Sequence, residues 1–382
     1  MSGRALRGIL LWWAGADLRI TLLAIPPVIP LLHRDLGLDE SGIAALSNLP
    51  VLVLAASSIF GSLFAARLGA RRALVAGLWL IALGGALRGA GPSVPLLFVM
   101  SAVMGGGIAI AQPALPALSR AWFPSRVPLA TGIWANGLLC GEALSASLTI
   151  PLMLPLVGGS WELSLAAWSV PVALTAIACA TVRDGGNVAA PGERWFPDFR
   201  DPRIRQLGVY QSAASLAYFG ANTFLPDYFH ATHRPALIGP CLAALNIGQI
   251  PASLVVGLIP LRVLGTRAVS LLVAALLLAA LAALLLGGAA AAIAASAVVG
   301  FFGAYVLTMS FALPAVLGAP GEVARISAGT FTLGYSIAFV TTVLAGAAWD
   351  LTHVAASAFA PILAAAAIAA ILGTRLGARL QR

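Results

Sequence analysis

A chain of 382 residues that is 60% hydrophobic and 9% charged, with a mean hydropathy of +0.97, is not a soluble domain, which carries roughly 25% charged residues. Its net charge of +9 comes from 22 basic residues, all arginine. They fall in short loops between apolar runs, so membrane topology explains them better than nucleic acid does. No ten-residue alternating strands dominate, which excludes a β-barrel. Cys140, Cys179 and Cys241 are isolated in apolar segments and give neither a metal spacing nor a disulfide framework.

The first apolar run, residues 8–32, is long enough to cross a bilayer as a helix. Arg4 and Arg7 precede it as in a secretory signal, but the run is too long and contains Arg19, so it is read as a retained first helix. At ~1.5 Å per residue, Arg19 lies about 16 Å from an entry at Gly8, near the midplane. A charge there costs at least about 2.5 kcal/mol and needs a partner or a watery cavity. Pro26, Pro27 and Pro30 weaken the outer half of the same run. Asp17, two positions from Arg19, points to nearly the opposite face, so it serves either packing or a proton.

Eleven more spans follow: 41–65, 72–91, 95–119, 128–154, 162–182, 204–226, 237–260, 268–287, 290–316, 324–348 and 354–375. The polar stretch 183–203 divides the twelve into an N-terminal bundle (1–182) and a C-terminal bundle (204–382). With the N-terminus inside, 18 arginines fall in inside segments and three, Arg34, Arg88 and Arg234, in outside loops. That bias predicts that both termini and the 183–203 linker face the cytoplasm.

The halves resemble each other. LSNLP at 46–50 parallels LNIGQIP at 245–251, RLGARRAL at 67–74 parallels VLGTRAVS at 263–270, ALPAL at 114–118 parallels ALPAV at 312–316, and ATGIWANG at 130–137 parallels SAGTFTLG at 327–334. The offsets are 201, 196, 198 and 197 residues. Two parallel repeats with a binding site between them is a transporter architecture.

The order of segments, with SLFAARLGARR at 62–72, resembles the major facilitator superfamily. Within it, DLRITLLAIPPVIPLLHRDLGL at 17–38, AWFPSRVPLATGIW at 121–134, LTIPL at 148–152 and LGYSIAFVTTVLAGAAWDLT at 333–352 resemble the cyanate porter branch, which includes cyanate and 2-nitroimidazole transporters. The resemblance implies an all-α polytopic membrane protein of twelve helices, a monomer in the bacterial cytoplasmic membrane that transports small molecules by alternating access. The loop between the second and third spans would supply a conformational motif through Arg67, Gly69, Arg71 and Arg72; its usual acidic position is Ala66 here. The branch usually has Asn where this chain has Asp17.

Arg19 is the leading substrate residue, because its fixed fork of five donors suits a small planar anion. Glu142, in span five, sits beside a ridge of small residues, Gly137, Gly141 and Ser145. Family analogy makes spans one and five neighbours, so Glu142 could reach Arg19 and act as a static partner or a protonatable switch. Glu142 and Asp17 are the proton-coupling candidates. Gln112, Tyr218, Asn222, Tyr305 and Tyr335 are the other substrate-binding candidates, on spans four, seven, ten and eleven. His230, His233 and Arg234 read as solvated loop residues. The favoured activity is secondary transport of a small anion or polar compound, without metal or cofactor. Broad efflux of lipophilic compounds is the alternative. A membrane-embedded enzyme is the third reading, but the sequence has no HExxH, no GxSxG and no Walker lysine.

Overall fold

The computed structural model describes residues 3–38, 40–182 and 195–380. Most of the expected linker therefore lies outside the described residues, as do Arg183, Arg194 and Arg382 of the charge count. The described residues are helical with no strand, and all twelve expected spans fall on helical segments. Nine runs are each long and apolar enough to cross a membrane in one piece. The first span is interrupted by a turn, the seventh runs on as helix through a π segment, and the second contains the shorter apolar helix Leu52–Leu68.

The chain forms two compact units, Met1–Asp198 with Gly318–Thr332, and Phe199–Leu317 with Leu333–Arg382. The first unit holds α1 (Gly3–Ile20), α2 (Ile29–Leu36), α3 (Glu40–Leu68), α4 (Ala70–Leu87), α5 (Val94–Ala111), α6 (Ala114–Trp122), α7 (Val127–Leu148), α8 (Leu154–Leu156) and α9 (Trp161–Thr181). Its first span is broken: α1 stops at Ile20, a turn follows, and a 3-10 segment at Pro26–Val28 leads into α2. Proline at 26 and 27 removes two amide donors that a continuous helix would need. The fifth span has a wide π turn at Thr149–Met153 between α7 and α8. Gly69, at φ +83°, sits between α3 and α4, where a side chain would be strained.

The second unit holds α10 (Pro202–Ser215), α11 (Ala221–Ala231), α12 (Ile238–Leu258), α13 (Leu261–Leu264), α14 (Arg267–Leu286), α15 (Ala289–Leu317), most of α16 (Val323–Thr352) and α17 (Ala360–Leu380). A π segment at Leu216–Gly220 joins α10 to α11. Inside this unit α12 and α15 meet backbone to backbone: a Cβ on Gly300 would stand 1.9 Å from the Leu245 oxygen.

Arginines close helix ends in both units. A helix leaves its last carbonyls unpaired, and away from water they need donors. Arg71 donates to the Cys179 and Ala180 oxygens at 3.2 and 2.9 Å, at the end of α9. Arg234 donates to the Gly287 oxygen at 3.1 Å, at the end of α14, with its guanidinium over the Phe229 ring. Arg234 is therefore not a solvated loop residue. Arg120 donates to the Gly318 oxygen at 2.7 Å, tying 318–332 into the first unit. A forked, permanently charged donor suits this task.

Candidate functional site

The seam between α1 and α7 is made of glycine. A Cβ on Gly15 would lie 1.9 Å from the Trp134 oxygen, one on Gly137 1.9 Å from the Trp12 oxygen, and one on Gly141 2.3 Å from the Ala16 oxygen. Only glycine lets two backbones approach this closely. Trp12 Nε1 adds a bond to Asn136 Oδ1 at 3.0 Å. One helical turn beyond Gly15 comes Arg19, and next to Gly141 comes Glu142. The seam thus brings them together, with Arg19 Nε 3.3 Å from Glu142 Oε1 and side chains only 3% and 10% exposed. Arg19 also occupies the last turn of α1, where the helix dipole favours a cation.

Asp17 faces the other way. It is fully buried, and neither carboxylate oxygen has a hydrogen-bond partner among the described residues. Thr175 of α9 lies beside it, but that hydroxyl donates to the Pro171 oxygen at 3.0 Å. Gln112 is fully buried in the first unit at the end of α5, its backbone N–H donating to the Ile108 oxygen at 2.9 Å. In the loop motif, Arg67 and Arg72 are exposed, Gly69 makes the turn and Arg71 caps α9.

The second unit gathers neutral groups. Tyr218 donates to Asn246 Oδ1 at 2.9 Å, and Gln249 Nε2 approaches the same oxygen at 3.4 Å. Asn222 Nδ2 donates to the Tyr218 backbone oxygen at 3.1 Å. Tyr335 is buried. Tyr305 donates to the Leu264 oxygen at 3.2 Å, so its hydroxyl is held at the end of α13. Gln211 is fully buried, and neither atom of its side-chain amide has a hydrogen-bond partner among the described residues. No cluster of metal ligands occurs among the described residues.

Sequence reasoning missed Arg88. It stood among the outside-loop arginines, yet it is 1% exposed, and its Nη2 donates to the Thr21 oxygen at 2.6 Å. The signal was available: Gly84, Gly85 and Gly89 surround a single arginine, a spacing that lets neighbouring helices close over it.

Comparison with known proteins assigns this architecture. The family model described as Major Facilitator Superfamily matches residues 11–342. The cyanate transport protein of Escherichia coli is 30% identical over 245 residues, 63% of each chain. The 2-nitroimidazole transporter of Escherichia coli is 34% identical over 145 residues, 38% of this chain and 36% of that one. The matches thus span less than two thirds of those relatives. The solved Escherichia coli fucose:proton symporter aligns with TM-score 0.75 at 15% identity, over 97% of both chains. A human organic anion transporter aligns with TM-score 0.76 at 13% identity, over 98% of this chain and all (100%) of that one. At such identities the structures share the fold.

Proposed function

The chain belongs to the major facilitator superfamily, and on that premise we propose that it is a secondary transporter of a small, planar, electron-rich solute recognised by Arg19. It is a multi-pass membrane transporter and not an enzyme. The finer reading rests on one observation, the buried Arg19–Glu142 pair at 3.3 Å on the glycine seam of α1 and α7. Cyanate and a nitro group both present electron-rich atoms to a donor fork, and the two relatives are a cyanate transport protein and a 2-nitroimidazole transporter. An incoming anion competes with Glu142 for the guanidinium, so substrate binding and the charge state of Glu142 are coupled. Glu142 is the first candidate to carry a proton and Asp17 the second. The protein works by alternating access as a monomer in the bacterial cytoplasmic membrane, with both termini cytoplasmic.

The test is binding of cyanate, nitrite and 2-nitroimidazole to purified protein by calorimetry. Arg19→Ala should weaken the bound solute by about thirtyfold, the ~2 kcal/mol of one charge-assisted bond. Arg19→Lys should recover only part, having lost the fork. Unchanged affinity in a folded Arg19→Ala protein removes Arg19 from recognition, and preferential binding of bulky lipophilic cations points to broad efflux. In vesicles, Glu142→Gln should abolish proton-coupled accumulation and spare exchange. If coupling survives, the same test on Asp17→Asn follows.

A further inference from the structure

The break in the first span leaves a carbonyl that only a residue from another helix satisfies. In a continuous helix the Ile25 amide would bond to the Thr21 oxygen, and that bond is not made. Two residues earlier, the Arg19 oxygen still receives the Leu23 amide at 3.0 Å, so helical bonding ends at this point. Beyond it, Pro26 and Pro27 have no amide hydrogen to offer. The Thr21 oxygen takes Arg88 Nη2 instead, at 2.6 Å.

The surroundings are built for this contact. A Cβ on Gly85, one turn before Arg88, would press on Ser169 Oγ at 2.5 Å and on the Thr21 methyl at 3.2 Å. One on Gly89 would lie 2.0 Å from the Glu162 oxygen. The end of α4 is therefore packed directly on the end of α1 and the start of α9. Arg88 forms no ion pair among the described residues, and its Nε is without a hydrogen-bond partner. A guanidinium buried without a carboxylate needs some other source of negative potential. The carbonyl end of α1 supplies it through the helix dipole and the Thr21 oxygen that no backbone amide reaches.

We propose that Arg88 is a positioning residue for the recognition site: it replaces the missing amide at Thr21 and so fixes the end of α1 that carries Arg19. The role rests on the reading of Arg19 as the recognition residue. It acts through backbone, since the bond goes to a carbonyl two residues beyond Arg19, and it sets where the inner half of the first span stops and the outer half begins to swing.

The experiment uses the full chain with Arg88→Gln and Arg88→Lys, alone and combined with Arg19→Lys, and reads the affinity for cyanate and nitrite. Arg88→Gln should weaken binding about tenfold, and Arg88→Lys, which keeps a cationic donor, should return it to within about threefold. On the Arg19→Lys background, Arg88→Gln should add less than about a twofold loss, because the fork it positions is gone. A tenfold loss on both backgrounds, or none on either, overturns the proposal. A second measurement separates this from failure of the transport reading. In protein with Cys140, Cys179 and Cys241 replaced by serine, the thiol of Ile29→Cys should be labelled severalfold faster with Arg88→Gln and at the parent rate with Arg88→Lys. If Arg19→Ala leaves affinity unchanged but labelling responds as stated, recognition has been misassigned while Arg88 still holds the helix end. Equal labelling in all three proteins overturns the clamp itself.

Discussion

The α1–α7 seam of the first unit and its repeat counterpart in the second, α10 with α16, are two versions of one arrangement. Displaced by the 197 residues that separate ATGIWANG from SAGTFTLG, Gly137 corresponds to Gly334, Arg19 to Leu216 and Glu142 to Phe339. The first version is tight and charged. The second is looser and neutral: a Cβ on Gly334 would stand 3.1 Å from the Gln211 side chain and from the Gly208 oxygen, where one on Gly137 would stand 1.9 Å from the Trp12 oxygen. Phe339 is 43% exposed where Glu142 is 8%. Both versions keep an irregularity at the same level, the break after Ile20 and the π segment Leu216–Gly220. Three prolines, Pro26, Pro27 and Pro30, break the first span, while Pro226 alone leaves the seventh helical with one wide turn. Irregularity and charge are thus separable: both copies depart from a regular α-helix at this level, and one copy alone carries the ion pair.

The largest test of that difference removes one partner. Glu142→Ala leaves a buried guanidinium without its carboxylate and should destabilise the protein by about 3–5 kcal/mol, measured by unfolding in mixed micelles. Phe339→Ala, at the corresponding position, should stay within about 0.5 kcal/mol. Equal losses would show that the charged seam is no more critical than the neutral one.

Next comes the packing of the same seams. Gly137→Ala places a methyl group against the Trp12 carbonyl and forces α1 and α7 apart, a cost of about 1–3 kcal/mol. It should also lengthen the Arg19–Glu142 contact and weaken solute binding. Gly334→Ala meets its neighbours, Gln211 and the Gly208 oxygen, only at 3.1 Å, where a shift of a few tenths of an ångström makes room, so its cost should stay below about 1 kcal/mol. The check is melting temperature and solute affinity on both proteins; a Gly334→Ala change as costly as Gly137→Ala would remove the asymmetry.

Much of this was legible before the structure. Helical class, membrane insertion and the spans follow from apolar run length, a one-dimensional property. Close packing of α7 was foreshadowed by Gly137, Gly141 and Ser145, because a small-residue ridge is local in sequence, whereas α1 as its neighbour came from the family resemblance. The burial of Arg88 and the carbonyl contact of Arg234 were not legible from loop charge counting. That count treats an arginine near a span end as solvated, whereas both bond to carbonyl ends of helices distant in sequence. Tyr305 was named a substrate-binding candidate because family analogy has span ten lining a cavity. That its hydroxyl reaches the Leu264 oxygen at the end of α13, a partner 41 residues away, was not legible in the sequence.

A smaller effect should follow from the neutral cluster. Tyr218→Phe removes the bond to Asn246 at 2.9 Å and should cost about 1 kcal/mol of stability. If the second unit contributes only neutral contacts, cyanate affinity should fall no more than about threefold. A loss as large as that of Arg19→Ala would move the centre of recognition into the second unit.

The smallest effect lies at the C-terminal end of the first span, where the ion pair among the described residues is exposed. Arg34 donates to Asp35 at 2.6 Å through Nε, and Trp161 Nε1 donates to the same carboxylate at 3.1 Å, tying α2 to the start of α9. The Arg34 hydrogen bond holds the Asp35 carboxyl below its ordinary value. A carboxyl whose folded value is depressed contributes stability above its unfolded value and loses it as pH falls through the folded one. The tie should therefore be intact at neutral pH and release only below the usual carboxylate range. Both partners are partly in water, at 68% and 29% exposure, so the global melting temperature should barely move. Hydrogen exchange in α2 and at the start of α9, corrected for its intrinsic pH dependence, should respond instead, rising under acid in the parent protein. In Asp35→Asn it should already be raised at neutral pH and flat with acid. An identical acid response in parent and Asp35→Asn would show that another group governs this end of the span, leaving the buried pair as the tested difference between the two seams.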